Sequence, residues 1–291
     1  MQIEQELILS EKRDFSDVLN ASFRFIRQEF KQLYGLVLAY TIVPLIGTSL
    51  LAVFYTADVW QLYFDGLLNN RPDIEMPNLW MYALMMMVNF ISYSLIVGIT
   101  YEYMAAYNKY GRGNFTGSDV IRALGKDFMS ILGYNLVTGI VLVFAFMFFL
   151  IPGVYMFVPL SMIIIVKTVE RNGFSVSWGR CFKLIKENWW ITFALILIAY
   201  LIITMASMVF AIPMTFYSMI QGLTVLEGGT TEMNRVALGI FSLISTVGSY
   251  LLYVVFYVII GFQYFSLSST DGSKGIMDKI NQIATSNENQ A

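Results

Sequence analysis

Long apolar stretches alternate with short polar ones along most of the chain. They run over 33–56, 79–107, 128–151, 154–169, 189–212 and 238–265. At about 1.5 Å of helical rise per residue, most are long enough to cross a hydrocarbon core of about 30 Å. The pattern predicts an all-α integral membrane bundle of six transmembrane helices in a single membrane domain, 1–291. The fourth stretch is the shortest. It holds Pro159 and follows the third with only Pro152 and Gly153 between them, so a short span and part of a re-entrant hairpin are both open.

The polar connections carry a second pattern. Lys12, Arg13, Arg24, Arg27 and Lys31 precede the first span, and Lys109, Arg112, Arg122 and Lys126 lie between the second and third. Lys167, Arg171, Arg180, Lys183 and Lys186 lie between the fourth and fifth, and Lys274 and Lys279 follow the sixth. Only Arg71 and Arg235 fall in the alternate connections. The positive-inside rule then places both termini in the cytoplasm, and that parity needs 154–169 to cross. The polar start, 1–14, is no removable signal peptide. The expected address is a bacterial plasma membrane.

Amphipathic stretches precede the odd-numbered spans and repeat. Phe15 and Ser16 recur as Phe174 and Ser175, Phe23 as Phe182, and Ile26 as Ile185. Arg24, Arg27 and Phe30 recur as Lys183, Lys186 and Trp189. A looser middle copy sets Asp119, Val120, Ile121, Ala123 and Lys126 against Asp17, Val18, Leu19, Ala21 and Arg24. The expectation is three repeats over 15–107, 115–169 and 174–265, each a cytoplasmic amphipathic helix plus a transmembrane hairpin, with a cytoplasmic tail at 266–291. Leu19, Phe23, Ile26, Phe30 and Leu33 form an apolar stripe at helical spacing beside the basic stripe of Arg24, Arg27 and Lys31. Trp178, Phe182, Ile185 and Trp189 repeat it. Such helices either lie in the headgroup layer with their cations toward anionic lipid, or pack on the bundle while the cations merely fix orientation. Ser16 and Ser175 are candidate N-caps. Ile276, Ile280 and Ile283 predict a short helix in the tail.

Composition narrows the chemistry. Of 291 residues 57% are hydrophobic, 16% aromatic and only 13% charged, with a net charge of −2. There is no histidine, and Cys181 is the one cysteine, so a histidine base, a Cys/His zinc site, a His-ligated haem and an intrachain disulfide are all excluded. No catalytic residue, metal ligand or cofactor is expected, and no nucleic acid. The ionisable residues nearest the spans, Glu102, Lys167 and Glu170, are candidate interfacial ion pairs, Glu102 with Lys109 or Arg112 and Glu170 with Lys167 or Arg180. Arg180, Lys183 and Lys186, with Arg24 and Arg27, are the candidate cytoplasmic site for a headgroup, another anion or a partner. Asn89, Ser92, Ser94, Asn135, Thr138, Ser207, Ser245, Thr246 and Gln263 read as packing contacts between helices, and Gly98, Gly139 and Gly261 as points of close approach. Pro44 and Pro213 are places where helices kink or end. Trp60, Tyr63, Phe64, Trp80 and Tyr82 fit an outer aromatic belt, Trp189 and Trp190 an inner one.

One stretch carries a resemblance. Ile151, Pro152, Gly153 and Val154 lead to Val169, Glu170, Arg171, Asn172 and Gly173. Then come Trp178 through Leu184 and Lys186 through Trp190. This resembles the membrane domain attached to some glycerophosphoryl diester phosphodiesterases, and related uncharacterised six-span bacterial proteins, over about 151–195. Arg180 and Cys181 stand where those relatives tend to have a basic residue and serine. The resemblance implies an accessory or free-standing membrane module without the phosphodiesterase activity, whose catalytic barrel needs histidines.

The expected function is thus a non-catalytic scaffold or accessory subunit, contacting membrane lipids or a membrane-protein partner through its cytoplasmic helices. The alternative is a transporter or channel for a small or amphiphilic solute. A membrane-embedded lipid enzyme would need clustered carboxylates, for which only Glu102 and Glu170 are at hand. Oligomeric state is left open.

Overall fold

The computed structural model describes residues 6–69, 79–227 and 234–288, with side chains described except over 56–58, 60–69 and 273–288. The chain is all-α: α1 (Phe15–Asn69), α2 (Leu79–Tyr110), α3 (Gly117–Phe148), α4 (Leu150–Leu160), α5 (Ile163–Glu170), α6 (Phe174–Ile185), α7 (Trp189–Leu226) and α8 (Arg235–Glu288). With α4 and α5 taken as the two halves of one span, six helices are long and apolar enough to cross a membrane. That is the architecture of an integral, multi-pass membrane protein. Arg71 and the side chains of Trp60, Tyr63, Phe64, Ile276, Ile280 and Ile283 lie outside what is described.

Helix boundaries depart from the sequence reading in places, each for a local reason. The chain breaks between α3 and α4 at Phe149, in extended backbone (φ −153°, ψ 128°), not at Pro152 and Gly153. Pro152 sits in the first turn of α4, where a missing N–H costs nothing. Ser16 and Ser175 are not N-caps, because α1 and α6 each begin one residue earlier, at Phe15 and Phe174. The Asp14 carbonyl accepts from the Val18 amide at 3.0 Å, and Gly173 caps α6 in extended conformation. α1 and α7 run through Pro44 and Pro213 without ending. The tail is no separate helix, since α8 continues to Glu288.

Contacts divide the chain into two packing units. One comprises Met1–Leu33, Val97–Tyr200 and Val255–Ala291, the other Tyr34–Ile96 and Leu201–Val254. In the first, α5 is enclosed: Ile163, Ile164, Ile165 and Val166 are apolar around the helix and buried, and Lys167 and Thr168 are buried with them. α3 and α6 pack against it. Phe25 of α1 anchors a neighbouring cluster, edge-on to Tyr103, Tyr107 and Phe262 at centroid distances of 6.3, 5.1 and 5.6 Å. Gly98 and Gly261 permit close approach, since an added Cβ would meet Leu124 or Met104 at 2.6 Å. Gly139 has no neighbour within 4 Å and serves no such contact.

The start of the chain is more ordered than its polarity predicts. Leu7 and Leu9 are buried. The Leu7 amide donates to the Tyr107 hydroxyl at 3.3 Å, and Ser10 to Asn108 at 2.9 Å. Glu6 accepts from the Arg112 amide at 2.6 Å. It lies against Gly111, whose φ of +82° and crowding against Glu6 both disfavour a side chain.

In the second unit the polar side chains mostly return to their own helices. Thr41 donates to the Val37 carbonyl, Ser49 to that of Leu45, Asn89 to that of Met85 and Ser92 to that of Val88. Asn89 also accepts from the Tyr250 hydroxyl. These bonds satisfy hydroxyls and amides where water is absent, and they bind helices weakly.

Candidate functional site

Among the described residues of the first packing unit, three groups of charged side chains are partly or wholly buried. In the first, Glu102 of α2, only 2% exposed, accepts from the Arg171 guanidinium at 2.7 Å. Arg171 also pairs with Asp127 of α3, which takes the Lys167 ammonium at 3.0 Å. Two acids and two bases balance, as buried charges must. Arg171 holds this position from left-handed backbone (φ 56°, ψ 26°) at the C-terminus of α5. That conformation is costly for a side-chain-bearing residue, and glycine is its usual occupant.

The second group starts one residue earlier. Glu170 accepts from Arg180 Nε at 2.9 Å, from the Tyr264 hydroxyl at 3.2 Å and from the Asn172 amide at 3.3 Å. Arg180 Nη1 reaches Asp271 of α8 at 2.5 Å, and Lys183 reaches the same carboxylate at 3.3 Å. Burial works against the charge of Arg180, but the hydrogen bonds to Asp271 and Glu170 outweigh it and hold the guanidinium above its ordinary pKa. Cys181, beside it in sequence, is buried, and that burial pushes its thiol up to about 12.

The third group lies on α1 and the loop after α2. Glu29, buried, takes Arg112 Nε at 2.8 Å and the Tyr103 hydroxyl at 2.5 Å. Gln32 is 3.0 Å from the same hydroxyl, and Arg112 Nη2 donates to the Gln28 carbonyl at 3.1 Å. Around this cluster opens a groove of about 670 Å³, with Arg27, Lys31 and Arg112 among its lining residues.

The structure thus sorts the candidate cations. Arg180 and Lys183 share Asp271, Lys186 is exposed at the C-cap of α6, Arg27 lines the groove, and Arg24 is exposed on α1. Glu102 pairs with Arg171 and not with Lys109 or Arg112. Glu170 takes Arg180, leaving Lys167 to Asp127. The partners that sequence reasoning missed are Asp127, Arg171 and Asp271. Asp127 is an isolated acid at the very start of the third apolar stretch, a placement that signals an ion pair because a bare carboxylate is costly there.

The apolar stripe of α1 is split. Val18, Ser22, Phe25, Glu29 and Leu33 are buried, whereas Phe23 and Phe30 are 44% and 54% exposed. The chain matches no family model, no curated protein and no solved structure.

Proposed function

We propose that this is a non-catalytic membrane protein of the bacterial plasma membrane, with both termini cytoplasmic. It serves as a scaffold or accessory subunit that meets the inner leaflet, or a partner embedded there, through its amphipathic helices. The observation that carries this reading is the outward turn of Phe23 and Phe30 beside Arg27 and Lys31, while Ser22 and Glu29 face inward. The packed side of α1 is already filled by Val18, Phe25 and Leu33, so packing does not account for Phe23 and Phe30. Continuous with the first span and not a separate helix lying in the headgroup layer, this part of α1 crosses the bilayer surface, where it offers them to acyl chains and its cations to phosphates.

The threefold repeat supports the same picture. At the register read from sequence, Val18, Val120 and Ser177 correspond, as do Ser22, Leu124 and Cys181, and all six are buried. α1 and α6 start at the matching Phe15 and Phe174. The resemblance of 151–195 to the membrane domain attached to glycerophosphoryl diester phosphodiesterases favours an accessory role over an independent activity.

A photo-crosslinking amino acid at position 23 or 30, activated in native membranes, tests the reading. Lipid adducts are expected, and adducts to a second protein would identify the partner. Crosslinks confined to the chain itself would overturn it.

The second reading, a transporter or channel for a small or amphiphilic solute, draws on the buried group around Glu102 and Lys167, because intramembrane charges often mark solute paths. Each carboxylate there already has a basic partner, which structural pairing explains.

A further inference from the structure

The groove beside α1 has the chemistry of a phosphate site. Arg27 and Lys31 stand four residues apart, on one side of the helix. Arg112 faces them from the loop after α2, its side chain about one-third exposed. The only acid among the lining residues, Glu29, is taken up by Arg112 and Tyr103, so the lining retains a net positive charge. The second observation is independent of charge. Both amide atoms of Gln28, which lines the same groove, are shielded from solvent and have no hydrogen-bond partner in the protein. A buried amide left this way is costly; turned into the groove, its Nε2–H would donate to an anionic oxygen while Oε1 meets solvent. Arg112 uses Nε on Glu29 and one Nη2 hydrogen on the Gln28 carbonyl, which leaves guanidinium N–H groups for a further anion. Phe30, exposed at the same groove, supplies an apolar margin.

We propose that this groove binds a phosphate group through Arg27, Lys31, Arg112 and the Gln28 amide, and that the phosphate is the headgroup of an anionic phospholipid with its acyl chain along Phe30. This deepens the lipid-contact reading above and rests on it for the source of the phosphate. The same chemistry would also accept a soluble phosphate ester.

The test uses the full chain in mild detergent, offered phosphatidylglycerol at graded ratios and followed by native mass spectrometry. Glycerol phosphate and inorganic phosphate serve as soluble competitors. Lys31→Gln and Lys186→Gln each remove one exposed cation, from the groove and from the C-cap of α6 respectively, and neither removes an ion pair seen in the structure. The expected result is one retained lipid, weakened at least fivefold by Lys31→Gln, further by Arg27→Gln with Lys31→Gln, and less than twofold by Lys186→Gln. Gln28→Leu should weaken it without any change of charge. Displacement by millimolar glycerol phosphate, lost in the Lys31 variant, would support the phosphate site while making its ligand soluble. Equal effects of Lys31→Gln and Lys186→Gln, with no competition, would overturn the site. Crosslinking at Phe23 and Phe30 would then still report separately on contact with the leaflet.

Discussion

The indole N–H of Trp189 donates to the carbonyl of Tyr155 at 3.3 Å, with the two rings stacked at 5.9 Å. That carbonyl stands four residues before Pro159, which has no N–H to offer it. α4 ends one residue beyond the proline, at Leu160, and the first residue of α7 supplies the donor that the helix lacks. Trp189→Phe keeps the stacking and removes the bond. It should cost about 1 kcal/mol, seen as a lower midpoint in thermal unfolding of the detergent-purified protein. Trp190→Phe, at a largely exposed position, should stay within about 0.5 kcal/mol. Equal losses would show that ring contact, not the hydrogen bond, matters here.

Arg171 combines a costly backbone with a needed charge, and the two effects separate by substitution. Arg171→Ala leaves Glu102 buried without its base, and the expected loss is about 3 kcal/mol. Arg171→Gly loses the same ion pairs but relieves the left-handed backbone by about 1 kcal/mol, so it should fall between alanine and wild type. Adding Glu102→Gln to Arg171→Ala should restore part of the loss. A denaturation series on these proteins and on Glu102→Gln alone reads this, and strict additivity of Arg171→Ala and Glu102→Gln would argue against the pair.

Two glycines should respond to alanine with opposite signs. At Gly248 a Cβ would lie 2.3 Å from the Phe210 ring, so Gly248→Ala should destabilise by about 1–3 kcal/mol. At Gly139, inside α3 with open space around it, Gly139→Ala should gain up to about 1 kcal/mol of helix propensity. Thermal midpoints of the two variants decide the matter.

Cys181 should resist maleimide at pH 8 in the folded protein. With its thiol pushed up to about 12 by burial, the thiolate is roughly one part in ten thousand at that pH, and the reagent has no path to it. Mass spectrometry should show labelling only after denaturation. Prompt labelling of native protein would mean that α6 does not pack as described.

The six apolar helices were legible because hydropathy over some twenty residues is a strong signal. Which way α1 faces was not. Of the apolar stripe of Leu19, Phe23, Ile26, Phe30 and Leu33 only Leu33 is fully buried, and the packed side also carries Ser22 and Glu29. Their burial depends on partners that periodicity does not reveal: Ser22 bonds the Val18 carbonyl at 2.7 Å, and Glu29 finds Arg112 and Tyr103. The charge groups were half legible. Glu102, Lys167 and Glu170 were marked by their nearness to the spans, whereas Arg171 and Asp127 meet them across 69 and 40 positions of sequence. The prolines misled because a stop signal in water is weaker in a helix end with no water to take up the freed groups.

Arg13 and Ser266 exchange two hydrogen bonds, amide to hydroxyl at 2.8 Å and hydroxyl to carbonyl at 3.2 Å, across 253 positions. A chain inserted from its N-terminus can seat Glu6, Leu7 and Ser10 as soon as α2 is made, but Arg13 lacks its partners Ser266 and Phe262 until α8 brings them. The strap over α2 and α8 therefore closes only once the last span is in place, as a latch on finished assembly. A polypeptide arrested before α8 would leave Arg13 unlatched and the Phe262-facing side of Phe25 uncovered for quality-control proteases to find.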